Sequence, residues 1–246
     1  MQLLNFKRAS WNISIGCNKV STGCKNCYAE RMALNFKRLG VVDYKDGFEF
    51  KLMPQRLNEP KKHKHPTLFF INSMSDIFHE RMDFTFLDEI LKVINATPHH
   101  QYQMLTKRPQ RMREYFSSRK APLNLWLGTT IEHQSMKNRI EFIRDLDASV
   151  KWICCEPLVG DIGELNLSGI NWLVAGAESG ANARECKIEW ILSLQKQCKA
   201  QGVAFSFHNT IRKHKSGIKD YKDTSLSQIQ NYEYPAIKTA ERSLFD

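Results

Sequence analysis

The sequence predicts an α/β chain folded as a full or partial (β/α) barrel, and three observations carry that prediction. Short apolar runs rich in β-branched and aromatic residues recur along the chain, with segments of helical periodicity between them. The runs TLFFI, KWICC and WLVA are apolar on both faces, as a parallel sheet covered on both sides requires. No G-x-G-x-x-G follows the first run, which weighs against an open, doubly wound dinucleotide-binding sheet.

The expected strands span 11–15, 67–71, 101–105, 124–128, 150–154, 171–175 and 203–207. Helical spacing of apolar residues covers 27–39, 84–96, 109–116, 135–145 and 188–201. Asp83 and Pro109 stand where helices start, and Gly202 stands where the last one stops. Two segments break the rhythm. Residues 41–66 are polar and charged throughout and are expected to be an insertion after the first helix, while 158–168 is expected to be a long loop or a short hairpin. The barrel domain is assigned to 1–208, and the Lys- and Ser-rich residues 209–246 to a C-terminal extension that packs only in part.

A chain of 246 residues with 42% hydrophobic, 25% charged and 11% aromatic residues is a globular protein and not a disordered or fibrous one. No window approaches the ~18 apolar residues of a membrane span, and 1–10 has no apolar signal-peptide core, so a cytoplasmic protein without membrane contact is expected. Disulfides are rare in that compartment, so seven cysteines are better accounted for as metal ligands or core thiols. The net charge of +10 suits a polyanionic partner. Within the cluster KRPQRMR, Lys107, Arg108, Arg111 and Arg113 are the candidate contacts to a nucleic-acid backbone, because they open the loop after the third strand and continue along a helix.

Parallel barrels place their active sites at the C-terminal ends of the strands. Following the strands in order, those positions hold the cysteine loop, then Asn72, Ser73 and Asp76, then Lys107 and Arg108, then Thr129, Thr130 and Glu132, then Glu156, then Glu178, then His208. Loops are polar in any case, which accounts for part of this set. A carboxylate or a basic group after nearly every strand goes further. Asp76, Lys107, Glu156, Glu178 and His208 are the candidate catalytic residues, and Tyr28, Asn72, Ser73, Thr129 and Glu178 the candidate cofactor-binding ones.

The strongest motif is GCNKVSTGCKNCYA, in which Cys17, Cys24 and Cys27 follow the first strand in a C-x6-C-x2-C spacing. Three thiolates on one short loop suit a soft metal centre, and zinc or an iron–sulfur cluster are the alternatives. A structural zinc site needs a fourth ligand, and no second C-x2-C pair exists. Cys154 and Cys155 are adjacent, so on a strand their side chains point to opposite faces and at most one could join the site.

The stretch 11–32 resembles the cluster-binding loop of radical S-adenosylmethionine enzymes, with Tyr28 after the last cysteine. Through WNISIGC, CYAERMA, FINSMSDIFHE, QMLTKRPQRM, LWLGTTIE, CCEPLVGDI and WLVAGAESG the chain resembles, more specifically, a phage- and mobile-element-borne three-cysteine-motif family of unassigned function. The resemblance implies a radical-enzyme type of barrel in which Cys17, Cys24 and Cys27 hold a 4Fe-4S cluster. The open iron then takes S-adenosylmethionine, and the radical formed from it acts on a substrate. The spacing departs from the usual C-x3-C-x2-C, NSMSD stands where many relatives carry Gly-Gly-Glu, and FSFHNT replaces a Phe-Lys-Gln-Trp-like run. Three functions remain open: a radical S-adenosylmethionine enzyme that modifies or repairs nucleic acid, a non-catalytic metal-stabilised binding module of a phage-defence system, and a metal-dependent hydrolase using Asp76, Glu156, Glu178 and His208. A partner protein encoded nearby is a further expectation.

Overall fold

The computed structural model describes residues 6–208 and 233–237. Seven strands form one sheet: β1 (Lys7–Trp11), β2 (Thr67–Ile71), β3 (Gln101–Thr106), β4 (Leu125–Thr130), β5 (Val150–Cys155), β6 (Trp172–Gly176) and β7 (Ala204–His208). Each pairs in parallel with the next in sequence, and β1 and β7 form the two edges. The crossovers carry α1 (Tyr28–Arg38), α2 (Phe84–Asn95), α3 (Pro109–Phe116), α4 (Glu141–Arg144) and α5 (Ile188–Ala200). The sheet curls into a half-barrel: rings of Trp126 on β4 and Trp172 on β6 approach to 5.8 Å across the intervening β5. This is the partial barrel of the sequence reading.

Alternation along the strands divides the side chains into two layers. Phe69, Ile71, Tyr102, Met104, Leu127, Ile153, Leu173 and Phe207 face the helices and build the main core. Leu68, Trp126, Trp152, Cys154, Trp172 and Val174 face the concave side and pack with Phe6. The helix signals act as expected: the Asp83 carboxylate accepts from Thr85 N at 2.9 Å, Pro109 opens α3, and Gly202 takes φ +67° just past α5.

The largest boundary difference is at the first strand. The parallel strand is Lys7–Trp11, whose exposed Lys7 and Arg8 carry no apolar signal because β1 is an edge. The expected 11–15 straddles its end. There Asn72, at φ 57°, accepts from the backbone N–H groups of Ile13 and Ser14 at 3.0 and 3.1 Å and turns the chain. Ser14–Ile15 then pairs antiparallel with Lys51–Leu52 of the inserted segment. That segment is largely 3-10 turns, and it buries Tyr44, Phe50 and Met53 despite its polar composition. Residues 158–168 form a loop without strand, and 135–145 is a 3-10 turn (Gln134–Ile140) running into the short α4. The extension is described only at 233–237, where the Glu233 N–H donates to Phe205 O and Tyr234 packs on Trp172.

At the foot of the sheet His100 is fully buried as a neutral ring: Nδ1 accepts from Thr67 N at 3.2 Å, and Nε2 donates to Pro60 O at 3.1 Å. Burial, aided by the neighbouring His99, pushes it from an ordinary 6.5 down to about 4. Over that interval the unfolded chain takes up a proton that the folded chain does not, so this histidine's stabilisation is complete above about pH 6.5 and is lost as pH falls toward about 4. Urea unfolding across this interval should show wild-type stability falling with pH more steeply than that of His100→Gln, which starts lower. Parallel slopes would refute the assignment.

Candidate functional site

The loop after β1 carries the cysteines along the rim of the half-barrel. Gly16 takes φ +77° and its N–H donates to Met74 O at 2.9 Å, while Ser75 donates to Gly16 O at 2.6 Å. Thr22–Cys24 forms a 3-10 turn, and Cys27 caps the N-terminus of α1. Cys17, Cys24 and Cys27 are all half-buried, and all line one cavity of about 690 Å³. Tyr28, Asn72, Ser73, Asp76, Lys107, Arg108, Glu156, Glu178 and His208 line the same cavity. Parallel strands deliver their C-terminal ends to one side of the sheet, which is why residues so far apart in sequence meet here.

Three carboxylate–arginine pairs hold the cysteine loop. Asp76 accepts from Thr106 Oγ1 at 2.6 Å, from Lys107 N at 3.0 Å and from Arg108 at 3.1 Å, and Arg108 reaches Cys17 Sγ at 3.6 Å. Glu132, fully buried, accepts from Arg139 at 2.9 Å and from Gly23 N at 3.2 Å. Glu178 accepts from Arg184 and from Asn26 at 2.9 Å, and Arg184 donates to Thr22 O at 2.9 Å. Burial would raise the Glu178 carboxyl, but these hydrogen bonds outweigh it and hold the group below its ordinary value. Burial and the nearby Asp76 raise the Cys17 thiol, against the opposing pull of Arg108.

These contacts change the roles of several expected residues. Asp76 and Glu178, expected as catalytic, are engaged by the partners given above; Asn72, expected at the cofactor, bonds to Ile13 N, Ser14 N and, at 2.7 Å, Ser14 Oγ. Ser73 donates to Asn12 Oδ1 and accepts, through its carbonyl, from the Tyr28 hydroxyl at 2.5 Å. Thr129 faces the helices, donating to Thr106 O at 2.9 Å; the period-two pleat gives the cavity Thr130 in its place. The basic cluster does not form one surface. Arg108 turns inward to Asp76, Arg111 donates to Met82 O and lies over the Phe84 ring at 5.0 Å, and Arg113 is exposed on α3, away from the cavity lining. Lys107 alone of the four combines cavity access with a side chain outside such an ion pair.

Glu156 and His208 remain, joined at 2.8 Å between a carboxylate oxygen and Nδ1 and partly open to the cavity. Cys154 lines the cavity and Cys155 faces the core, as alternation along a strand requires; burial pushes the Cys154 thiol up to about 12. Sequence reasoning missed Glu132, Arg139, Arg184 and Asn26 as holders of the loop. Glu132 was visible as a strand-end carboxylate, but its partner Arg139 lies in a segment that reads as ordinary helix surface.

Three thiols on one loop at one cavity rim, with the Arg108 guanidinium 3.6 Å from the Cys17 sulfur, are the donors this site offers to a soft metal centre. At Gly16 a Cβ would lie 2.1 Å from Glu49 O, so the loop bends where only glycine passes. Among the described residues, as the side chains stand, no group of three or more His, Cys, Asp or Glu is gathered to hold a metal ion. No described helix is long and apolar enough to cross a membrane.

No curated protein and no solved structure matches the chain. A family model does match, over residues 2–232, which takes in the barrel and runs into the extension: the chain belongs to the family described as Protein of unknown function (DUF5131).

Proposed function

We propose that the protein is a radical S-adenosylmethionine-like iron–sulfur enzyme acting on nucleic acid. The observation that carries this reading is the convergence of Cys17, Cys24 and Cys27 with Lys107, Glu156 and His208 on one cavity. Bound there, a 4Fe-4S cluster and S-adenosylmethionine would supply one-electron cleavage of the sulfonium and a radical that abstracts hydrogen from the substrate. The chain's own residues would do the rest. The three cysteines hold the cluster, and the Asp76, Glu132 and Glu178 pairs keep their loop in place. The Glu156–His208 pair holds or moves a proton at the substrate, Glu156 fixing the ring orientation of His208 through Nδ1. Lys107 offers a cation to a phosphate at the mouth, in keeping with the net charge of +10.

Anaerobic reconstitution of the full chain with iron and sulfide tests this reading. Wild type should bind both with a broad visible absorption band and, given a reductant and S-adenosylmethionine, release 5′-deoxyadenosine. Cys17→Ala, Cys24→Ala and Cys27→Ala should each lose the band, while Cys186→Ala keeps it. Iron uptake that survives all three loop substitutions would overturn the proposal.

A further inference from the structure

Among the described residues, seven of the eight large apolar side chains left exposed fall between 20 and 42, on and around α1. A helix of a globular protein turns its large apolar residues inward. α2 does so, burying Leu87, Ile90, Leu91, Val93 and Ile94. α1 reverses the arrangement. It buries Ala29 and Ala33 and leaves Tyr28, Met32 and Leu39 exposed at 48%, 41% and 77%. These three stand at i, i+4 and i+11, so they form one stripe down the helix, about 16 Å long at roughly 1.5 Å per residue. Single apolar residues on a surface need no partner, but a continuous stripe marks a contact face.

The charges beside the stripe select its partner. Between residues 25 and 45 stand five exposed bases: Lys25, Arg31, Lys37, Arg38 and Lys45. The two acids in that interval are already paired, Glu30 with Lys19 at 2.9 Å and Asp43 with Arg56 at 2.7 Å. Arg31 and Arg38 each precede a residue of the stripe and run along its flank. A second copy of the chain would set this cationic face against itself, which repels. Nucleic acid would answer the cations and leave the methionine and leucine in water. An acidic protein with an apolar patch answers both.

Position then says what that protein brings. α1 begins immediately after Cys27, and Tyr28, the first residue of the stripe, lines the same cavity as the three cysteines, its hydroxyl fixed to Ser73 O. We infer that the Tyr28–Leu39 stripe of α1 docks an acidic electron-carrier protein that reduces the centre held by the cysteine loop. The inference rests on the iron–sulfur reading above, in which cleavage of the sulfonium takes one electron that side chains do not supply. One electron leaves the donor's flavin or iron–sulfur group, which is oxidised, and arrives at the cluster, which is reduced; no bond forms or breaks. A stripe this short is too small for an obligate dimer and suits the small, transient contacts of electron transfer.

The test uses the full chain reconstituted with iron and sulfide, with a reduced flavodoxin and a reduced ferredoxin as protein donors and dithionite as a small one. Bleaching of the visible band is followed by stopped flow, and donor binding by titration. At least one protein donor should bind and reduce the wild type at a rate that falls as salt rises. The variant Met32→Ser with Leu39→Ser, and the variant Lys37→Gln, Arg38→Gln and Lys45→Gln, should each bind that donor more weakly and be reduced by it roughly tenfold more slowly. Both should keep wild-type iron content and wild-type reduction by dithionite, which a merely misfolded loop would not. Iron uptake with no reduction by either protein donor, or with rates within about twofold of wild type in both variants, overturns the inference and leaves the enzyme reading standing. Failure of iron uptake by the wild type removes both. Dimerisation, or oligonucleotide binding, that the Met32 and Leu39 variant abolishes would give the stripe another occupant and likewise overturn the inference.

Discussion

Glu132→Leu is expected to lower the free energy of unfolding by about 3–5 kcal/mol, because it leaves Arg139 charged and buried without its counter-ion. Both side chains are withdrawn from water, with exposures of 0% for Glu132 and 6% for Arg139. Arg139 would keep one bond, to Thr130 O, which satisfies a donor and neutralises nothing. Urea unfolding should show a lower midpoint at an unchanged slope. Adding Arg139→Met to Glu132→Leu should recover most of the loss, since replacing both partners with apolar groups removes the stranded charge. The exposed pair Lys92–Glu89 supplies the contrast: breaking it should leave the urea midpoint almost unchanged, since water and salt screen it. The double variant has a second use. It regains stability without restoring the acceptor for Gly23 N, so its iron uptake reports on the loop alone. A loss under about 1 kcal/mol for Glu132→Leu would show that Arg139 finds another partner.

Gly16→Ala should cut iron retention after reconstitution by roughly ten- to a hundredfold, the range seen when support around a metal ligand is lost. Two costs combine. A non-glycine residue at φ +77° is strained by about 1–2 kcal/mol. The new Cβ would also lie 2.1 Å from Glu49 O and 2.6 Å from Phe48 O, backbone atoms that cannot rotate aside. The loop must shift, and Cys17 is the next residue. Gly40→Ala separates the two costs: its φ of +72° imposes a similar strain, but nothing lies within 4 Å of the added carbon. That variant should be destabilised slightly and keep its iron. Equal iron retention in both alanine variants would mean that Gly16 serves only its own turn.

Six of the seven strands were legible from short apolar runs, continuous in TLFFI and WLVAG and broken by the buried Gln101 and Gln103 in QYQMLT. The first was misplaced because an edge strand tolerates Lys7 and Arg8 in water, while the apolar residues after it belong to a turn pinned by Asn72. Topology made the gathering of the site residues legible, since parallel strands share a direction. What each residue does there was less so. Whether Thr129 or Thr130 faces the cavity depends on a pleat phase that shifts with a one-residue error in the strand boundary. Arg108 reads as a phosphate contact until Asp76, 32 positions earlier, is seen to hold it inward. The partners of Asp76 and Glu178 were likewise not legible: Thr106 and Arg108 lie after another strand, and Asn26 lies on the cysteine loop.

Tyr234 joins what the strand order leaves apart. Among the described residues, backbone bonds of the sheet tie each strand only to its sequence neighbours, and none crosses from β7 back to β1. Tyr234, brought alongside β7 by Glu233, meets Trp172 with its ring and Arg8 of β1 with its hydroxyl. During synthesis, then, all seven strands can emerge and pair while Tyr234, one wall of the cavity, is still missing. The sheet is complete once residue 208 has left the ribosome, and the cavity lining only once residue 234 has followed. Folding of the scaffold and assembly of its interior become separate events, and a ribosome stalled between them would display an open trough with the indole of Trp172 uncovered.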